Sequence, residues 1–149
     1  MEDSRNSDEM NEEILYSAEE LLNRCLQKEP ENDQLLYILS VISYELDQYE
    51  AGLKAIRKAI EASDDHTIKH YYLKANLKVM LDMHAEAVND YSNAILVMSE
   101  CDPEDNLEKQ SPIPECYLER AKCYILLGSK EKAEADLRVF FSTVNIYFS

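Results

Sequence analysis

The sequence predicts an all-α protein: one lead helix followed by three antiparallel helix pairs stacked into an array. Three observations predict it. A small residue recurs inside helix-like runs at Ala18, Gly52, Ala87 and Ala133, at intervals of 34, 35 and 46 residues. A period near ~34 residues with helical patterning marks stacked helix hairpins. Apolar residues recur at three- and four-residue spacing around each mark, the stripe of a half-buried helix. The 149 residues include only 2 Gly and 4 Pro, too few for a loop-rich or all-β fold.

Each element follows in order. Residues 1–8 are polar, charged and aperiodic, and read as a disordered acidic leader. Patterning begins near Glu9, with Ile14, Leu15, Ala18, Leu21, Leu22, Cys25 and Leu26 on one face of a lead helix over 9–29. The small-residue position of Cys25 implies burial there. Pro30 ends the helix, because proline disfavours the α conformation at the residue before it. Asn32 or Asp33 caps the next helix, about 34–46. A tight turn at "LDQYE" leads to its partner, about 49–62, with Leu53, Ile56, Ala59 and Ile60 facing inward. A second pair spans about 67–81 and 84–98. The segment 99–113 is an acidic insertion loop with two prolines, roughly 12 residues longer than the repeat needs. The third pair spans about 114–127 and 130–146. Pro114 fits the first turn of its first helix and Gly128 the residue just past that helix's end. Residues 9–149 read as a single domain.

These spacings resemble the tetratricopeptide repeat family. Its repeat sets large or aromatic residues beside small ones at fixed positions. Residues 33–66 supply Leu36, Ser40, Ser43, Gly52, Ile56 and Ala59 at those positions. Residues 68–101 supply Tyr71, Ala75, Lys78, Ala87, Tyr91 and Ala94. Residues 114–147 supply Tyr117, Ala121, Tyr124, Ala133, Leu137 and Phe140. The lead helix matches the second half of a repeat through Ala18, Leu22, Cys25 and Pro30. Small residues belong where two helices cross closely, and large ones fill the gaps beside the crossing. Lys78 stands at a usual aromatic position and Phe140 at a usual small one, so both repeats depart from the pattern there.

The resemblance implies a right-handed α-α superhelix that binds other proteins and catalyses nothing. It implies that the first helix of each pair lines a concave groove. On this sequence the groove positions are Tyr37, Val41 and Tyr44, then Tyr72, Asn76 and Val79, then Leu118, Lys122 and Ile125. The stripe is apolar and aromatic, with one amide to pair with a peptide backbone and one cation. Either a partner's peptide or helix occupies it, or the chain's own tail or acidic loop covers it. Some co-chaperones of the family clamp a terminal carboxylate with Lys, Asn and Arg side chains. Only Asn76 and Lys122 match that set here, so the clamp is not expected. Small acidic proteins of this kind also resemble chaperones of bacterial type III secretion translocators, although the insertion loop does not fit them. The apolar tail supplies a third reading, a homodimer through Phe140, Phe141, Val144, Ile146, Tyr147 and Phe148.

The remaining composition narrows the classes. Net charge is -15, with 11 acids against 3 bases in residues 1–33 and 4 against 5 in residues 116–149. This field repels nucleic-acid phosphates and anionic lipid. No apolar run approaches the ~20 residues that span a bilayer, and the N-terminus lacks a signal peptide's apolar stretch. A cytoplasmic protein with neither nucleic-acid nor membrane partners is therefore expected. Cys25, Cys101, Cys116 and Cys123 form no CxxC pair and read as free thiols, with a Cys101–Cys116 disulfide as the alternative. His66 and His70 stand four apart beside Asp64 and Asp65, but no third ligand follows, and a capped helix start explains them better than a metal site. His84 reads as a solvated turn residue. Ser111 before Pro112 is a candidate phosphorylation site in a solvated insertion. No glycine-rich phosphate loop or nucleophile elbow occurs, and neither cofactor, metal nor catalysis is expected.

Overall fold

A computed structural model describes residues 2–64, 67–99 and 113–148. Among them are seven helices: α1 (Glu2–Lys28), α2 (Asp33–Glu45), α3 (Tyr49–Ala62), α4 (Ile68–Met80), α5 (His84–Ser99), α6 (Ile113–Leu126) and α7 (Lys130–Phe148). α2 packs on α3, α4 on α5 and α6 on α7, which gives three pairs behind a lead helix. His66 and nearly all of the acidic segment, with Cys101 and Ser111, lie outside the described residues.

The chain divides into two compact units, Met1–Asp64 and Asp65–Ser149. The break falls between the first and second repeats. In the first unit α1 packs on α2 and α2 on α3. Its core is Leu22, Leu36, Ile42, Leu53, Ala55, Ile56 and Ala59. In the second, Ile68, Ala75, Ala87, Tyr91, Ala94, Cys116 and Cys123 form one cluster.

Close crossings occur where small residues pair across a hairpin. Ala75 and Ala87 are 0% exposed, as is Ala121, with Ala133 at 2%. In the first repeat Ser40 replaces alanine, and its hydroxyl donates to the Gly52 carbonyl at 2.8 Å, so the buried polar atom has a partner.

The hairpin turns repeat one device. Gln48 N–H donates to the Ser43 carbonyl at 2.8 Å and Asp47 N–H to that of Tyr44 at 3.1 Å. Met83 with Asp82, and Ser129 with Gly128, make the same two bonds one and two repeats on. This is the Schellman end of a helix, which needs one left-handed residue. Gly128 supplies it at φ 81°, and Asp47 and Asp82 adopt it at φ 58°. Asn32 caps α2, its Oδ1 accepting from the N–H groups of Gln34 and Leu35 at 3.1 and 3.2 Å.

Three expectations are corrected. α1 begins at Glu2, so the leader is helical. Residues 2–28 hold no Gly or Pro to stop a helix, and carboxylates at a helix start favour it. Cys25 is exposed, together with Met10, Ile14 and Leu21. With α2 its one described neighbour, α1 buries Leu22 and half-buries Leu15, Ala18 and Leu26, and the Cys25 face turns away. His84 is the first residue of α5 and only 21% exposed in its side chain, held near Asp82 at 3.5 Å.

Candidate protein-binding site

The four- and three-residue spacings within each trio place its members on one helix face, beside the crossing residue but turned from it. All nine side chains are half-buried or exposed, and none is buried. In the first unit Tyr37, Val41 and Tyr44 form a half-buried row on α2. Tyr44 meets Tyr49 of α3 edge-on at 5.8 Å. Burial pushes the Tyr37 phenol above its ordinary value.

In the second unit α4 and α6, which carry the other two trios, touch each other. Leu118 is half-buried, Lys122 exposed, and Ile125 is 54% exposed. Tyr72 and Val79 also lean on the core. The Tyr72 ring lies 6.1 Å from that of Tyr91. The fully buried Tyr91 hydroxyl donates to Asn76 Oδ1 at 2.5 Å, so this carbonyl already has a partner. Burial drives the Tyr91 phenol far upward. Burial likewise raises Tyr72, an effect the Asn76 side chain opposes. Lys122 is paired with Glu119 at 2.9 Å, which leaves little net cation on the face.

Two buried ionic sites escaped the sequence reading. Arg120 of α6 donates twice to Asp136 of α7, Nε to Oδ2 at 2.8 Å and NH2 to Oδ1 at 2.6 Å, and once to Ser92 of α5 at 3.0 Å. Its guanidinium lies 5.5 Å from the Tyr117 ring centre and 5.8 Å from that of Tyr124. The hydrogen bonds to Asp136 hold Arg120 above its usual value. In the preceding repeat Lys78 Nζ sits 2.7 Å from Asp90 Oδ2, with Lys74 at 3.5 Å from the other oxygen. Lys78 thus enters the core as an ion pair where the family pattern sets an aromatic. The signal was available: Lys74 to Arg120 and Asp90 to Asp136 both span 46 residues, as do the crossing residues Ala87 and Ala133.

The trios carry aromatic, aliphatic, amide and ammonium side chains. Among the described residues no three His, Cys, Asp or Glu side chains converge as metal ligands. The thiols of Cys116 and Cys123 are free and buried, and burial pushes them up to about 12 and about 11. Neither forms a thiolate near neutral pH. His70 is buried, its Nδ1 2.6 Å from Thr67 Oγ1 at the start of α4. Among the described residues no helix is long and apolar enough to cross a membrane.

No family model and no curated protein sequence matches this chain. Solved structures do match. MamA superposes with a TM-score of 0.76 at 15% identity, over 91% of this chain and 71% of MamA. A MamA structure labelled MSR-1 gives 0.73 at 16%, over 90% and 70%. A tetratricopeptide repeat protein from Parabacteroides merdae gives 0.66 at 27%, over 89% of this chain and 48% of its own. The fold is of the tetratricopeptide repeat type. The three helix pairs and the lead helix are that fold's units, and the trios on α2, α4 and α6 occupy its first-helix positions. The tail continues α7 as helix to Phe148, and among the described elements α7 packs on α6 alone.

Proposed function

We propose that this chain is a non-enzymatic protein-interaction module whose α4–α6 face binds a helix or extended segment of a partner. One observation supports the reading: Lys122 and Ile125 are exposed on α6, which touches α4, the helix that carries Tyr72 and Val79, and among the described elements α7 packs on α6 alone. Asn76 and Lys122 already have internal partners, so aromatic and aliphatic anchoring supplies the affinity. The α2 trio offers a second surface of the same character in the first unit.

Ile125→Asp and Lys122→Glu alter exposed side chains and test the face with little cost to the fold. Tyr72→Ala is less clean, because its ring rests on the core. The expected result is a partner retained from native lysate by the wild type and lost by the Ile125→Asp/Lys122→Glu variant, with unchanged helical circular dichroism. Equal retention by both would refute the reading.

A second reading, self-association through α7, is supported by Phe141 at 61% and Val139 at 41% exposure. Phe140 and Val144 are half-buried, and the side chains of Ile146, Tyr147 and Phe148 lie outside the described residues. Mass that grows with concentration and is cut by Phe141→Asp would support it, and a constant monomer mass would end it.

A further inference from the structure

A cavity of about 550 Å³ opens in the first unit between α1, α2 and α3. Leu26, Leu36, Leu39 and Ala55 give it an apolar floor, and Lys54 and Lys58 stand on its rim one helical turn apart. None of the Tyr37, Val41 and Tyr44 row lines it.

The repeat register explains the opening. Leu39 precedes the crossing residue Ser40 by one, as Lys74 precedes Ala75 and Arg120 precedes Ala121. Ala55 follows Gly52 by three, as Asp90 follows Ala87 and Asp136 follows Ala133. Where the later repeats set an ion pair between their helices, the first sets Leu39 and Ala55 and leaves an apolar floor. The rim has its own anomaly. Lys54, Arg57 and Lys58 are exposed on α3, and among the described residues none makes an ion pair. The chain holds 30 acids against 15 bases. With Glu50 and Glu61, α3 holds two acids against these three bases, a local balance of opposite sign to the whole.

We infer that this cavity docks an acidic amphipathic helix of a partner protein. A leucine-sized side chain enters against Leu26, Leu36, Leu39 and Ala55, and carboxylates one turn apart meet Lys54 and Lys58. The volume lies within the ~300–1,000 Å³ of ligand pockets. The residues that line the cavity include Lys54 and Lys58 and no carboxylate, so its charge complements an acidic helix.

The test uses the full chain and a short fluorescent helical peptide of Glu and Leu, read by anisotropy at low salt. Two control peptides replace Glu by Gln or Leu by Ala. Saturable binding is expected, weakened about tenfold or more by Lys54→Glu/Lys58→Glu and by either control peptide. Leu39→Arg/Ala55→Asp, which installs the ion pair of the later repeats, is expected to fill the cavity and abolish binding while helical circular dichroism is retained. If that variant unfolds, the exposed lysine pair alone decides. Absent binding, or binding indifferent to the lysine substitutions, would overturn the inference. So would self-association of the unliganded chain that Lys54→Glu/Lys58→Glu abolishes, which would seat a second copy in the cavity.

Discussion

Replacing Asp136 by alanine should be among the most damaging single changes in this chain. The Arg120 guanidinium and the Asp136 carboxylate are joined by two bonds of 2.6 and 2.8 Å, with side-chain exposures of 17% and 7%. Their attraction repays the loss of hydration only while both are present. Asp136→Ala leaves a guanidinium that cannot discharge, held between two tyrosine rings with Ser92 as its remaining bond. Removing one partner of a buried pair costs about 3–5 kcal/mol. The 17% exposure of Arg120 lets some water in and points to the lower end, about 3 kcal/mol. A domain of this size is stable by about 5–15 kcal/mol, so the loss is a large fraction of the total. At about 2–4 °C per kcal/mol, the melting temperature should fall by roughly 10 °C. Arg120→Leu/Asp136→Ala reproduces the Leu39/Ala55 pair of the first repeat and should lie within about 1 kcal/mol of wild type, because no charge is stranded. Urea unfolding followed by circular dichroism on the wild type, both single variants and the double variant closes the cycle. The reasoning fails if Asp136→Ala costs under about 1 kcal/mol, or if the double variant is as unstable as the sum of the singles.

Further expectations follow from the turns, the buried phenol and the thiols. No atom lies within 4 Å of a Cβ placed on Gly128, so Gly128→Ala should cost about 1 kcal/mol through its left-handed backbone alone. Asp82→Gly at the matching turn should gain a similar or smaller amount, and thermal melts of both check the pair. Tyr91→Phe should destabilise by about 1–2 kcal/mol, since the Asn76 carbonyl loses its donor. Stability should fall as pH rises above about 9. Cys116, Cys123 and Tyr91 are held protonated in the fold above their ordinary values, whereas the unfolded chain releases these protons and is favoured. Urea midpoints that rise or stay level between pH 9 and 11 would contradict this. A thiol reagent should label Cys25 rapidly in the native protein and leave Cys116 and Cys123 until unfolding, as peptide mapping would show.

Much of this fold was legible because the repeat states each rule several times. Pro30, Asn32 and Gly128 marked helix boundaries that the structure keeps within a residue or two. The start of α1 was hidden because burial patterning fades before the helix ends, and only a breaker would have marked the stop. Asp47 and Asp82 were unremarkable alone, and their left-handed backbone becomes readable only when their turns are aligned with that of Gly128. Residue type alone does not separate the exposed pair of Glu20 and Arg24 from the buried pairs of Lys78 with Asp90 and Arg120 with Asp136. Repeat offsets separate the two cases, because a buried pair recurs at the same register. The commitment of Asn76 to Tyr91 depended on packing depth, which one sequence does not print.

The central claim is that the α4–α6 face receives a partner. A photo-crosslinking residue placed at Ile125, and in a second protein at Leu96 of α5, tests it directly in native lysate. The two positions are 54% and 57% exposed, so accessibility is matched and location differs. The account predicts a discrete adduct from position 125 that is absent from position 96. Adducts from position 96 alone, or the same set from both, would contradict it.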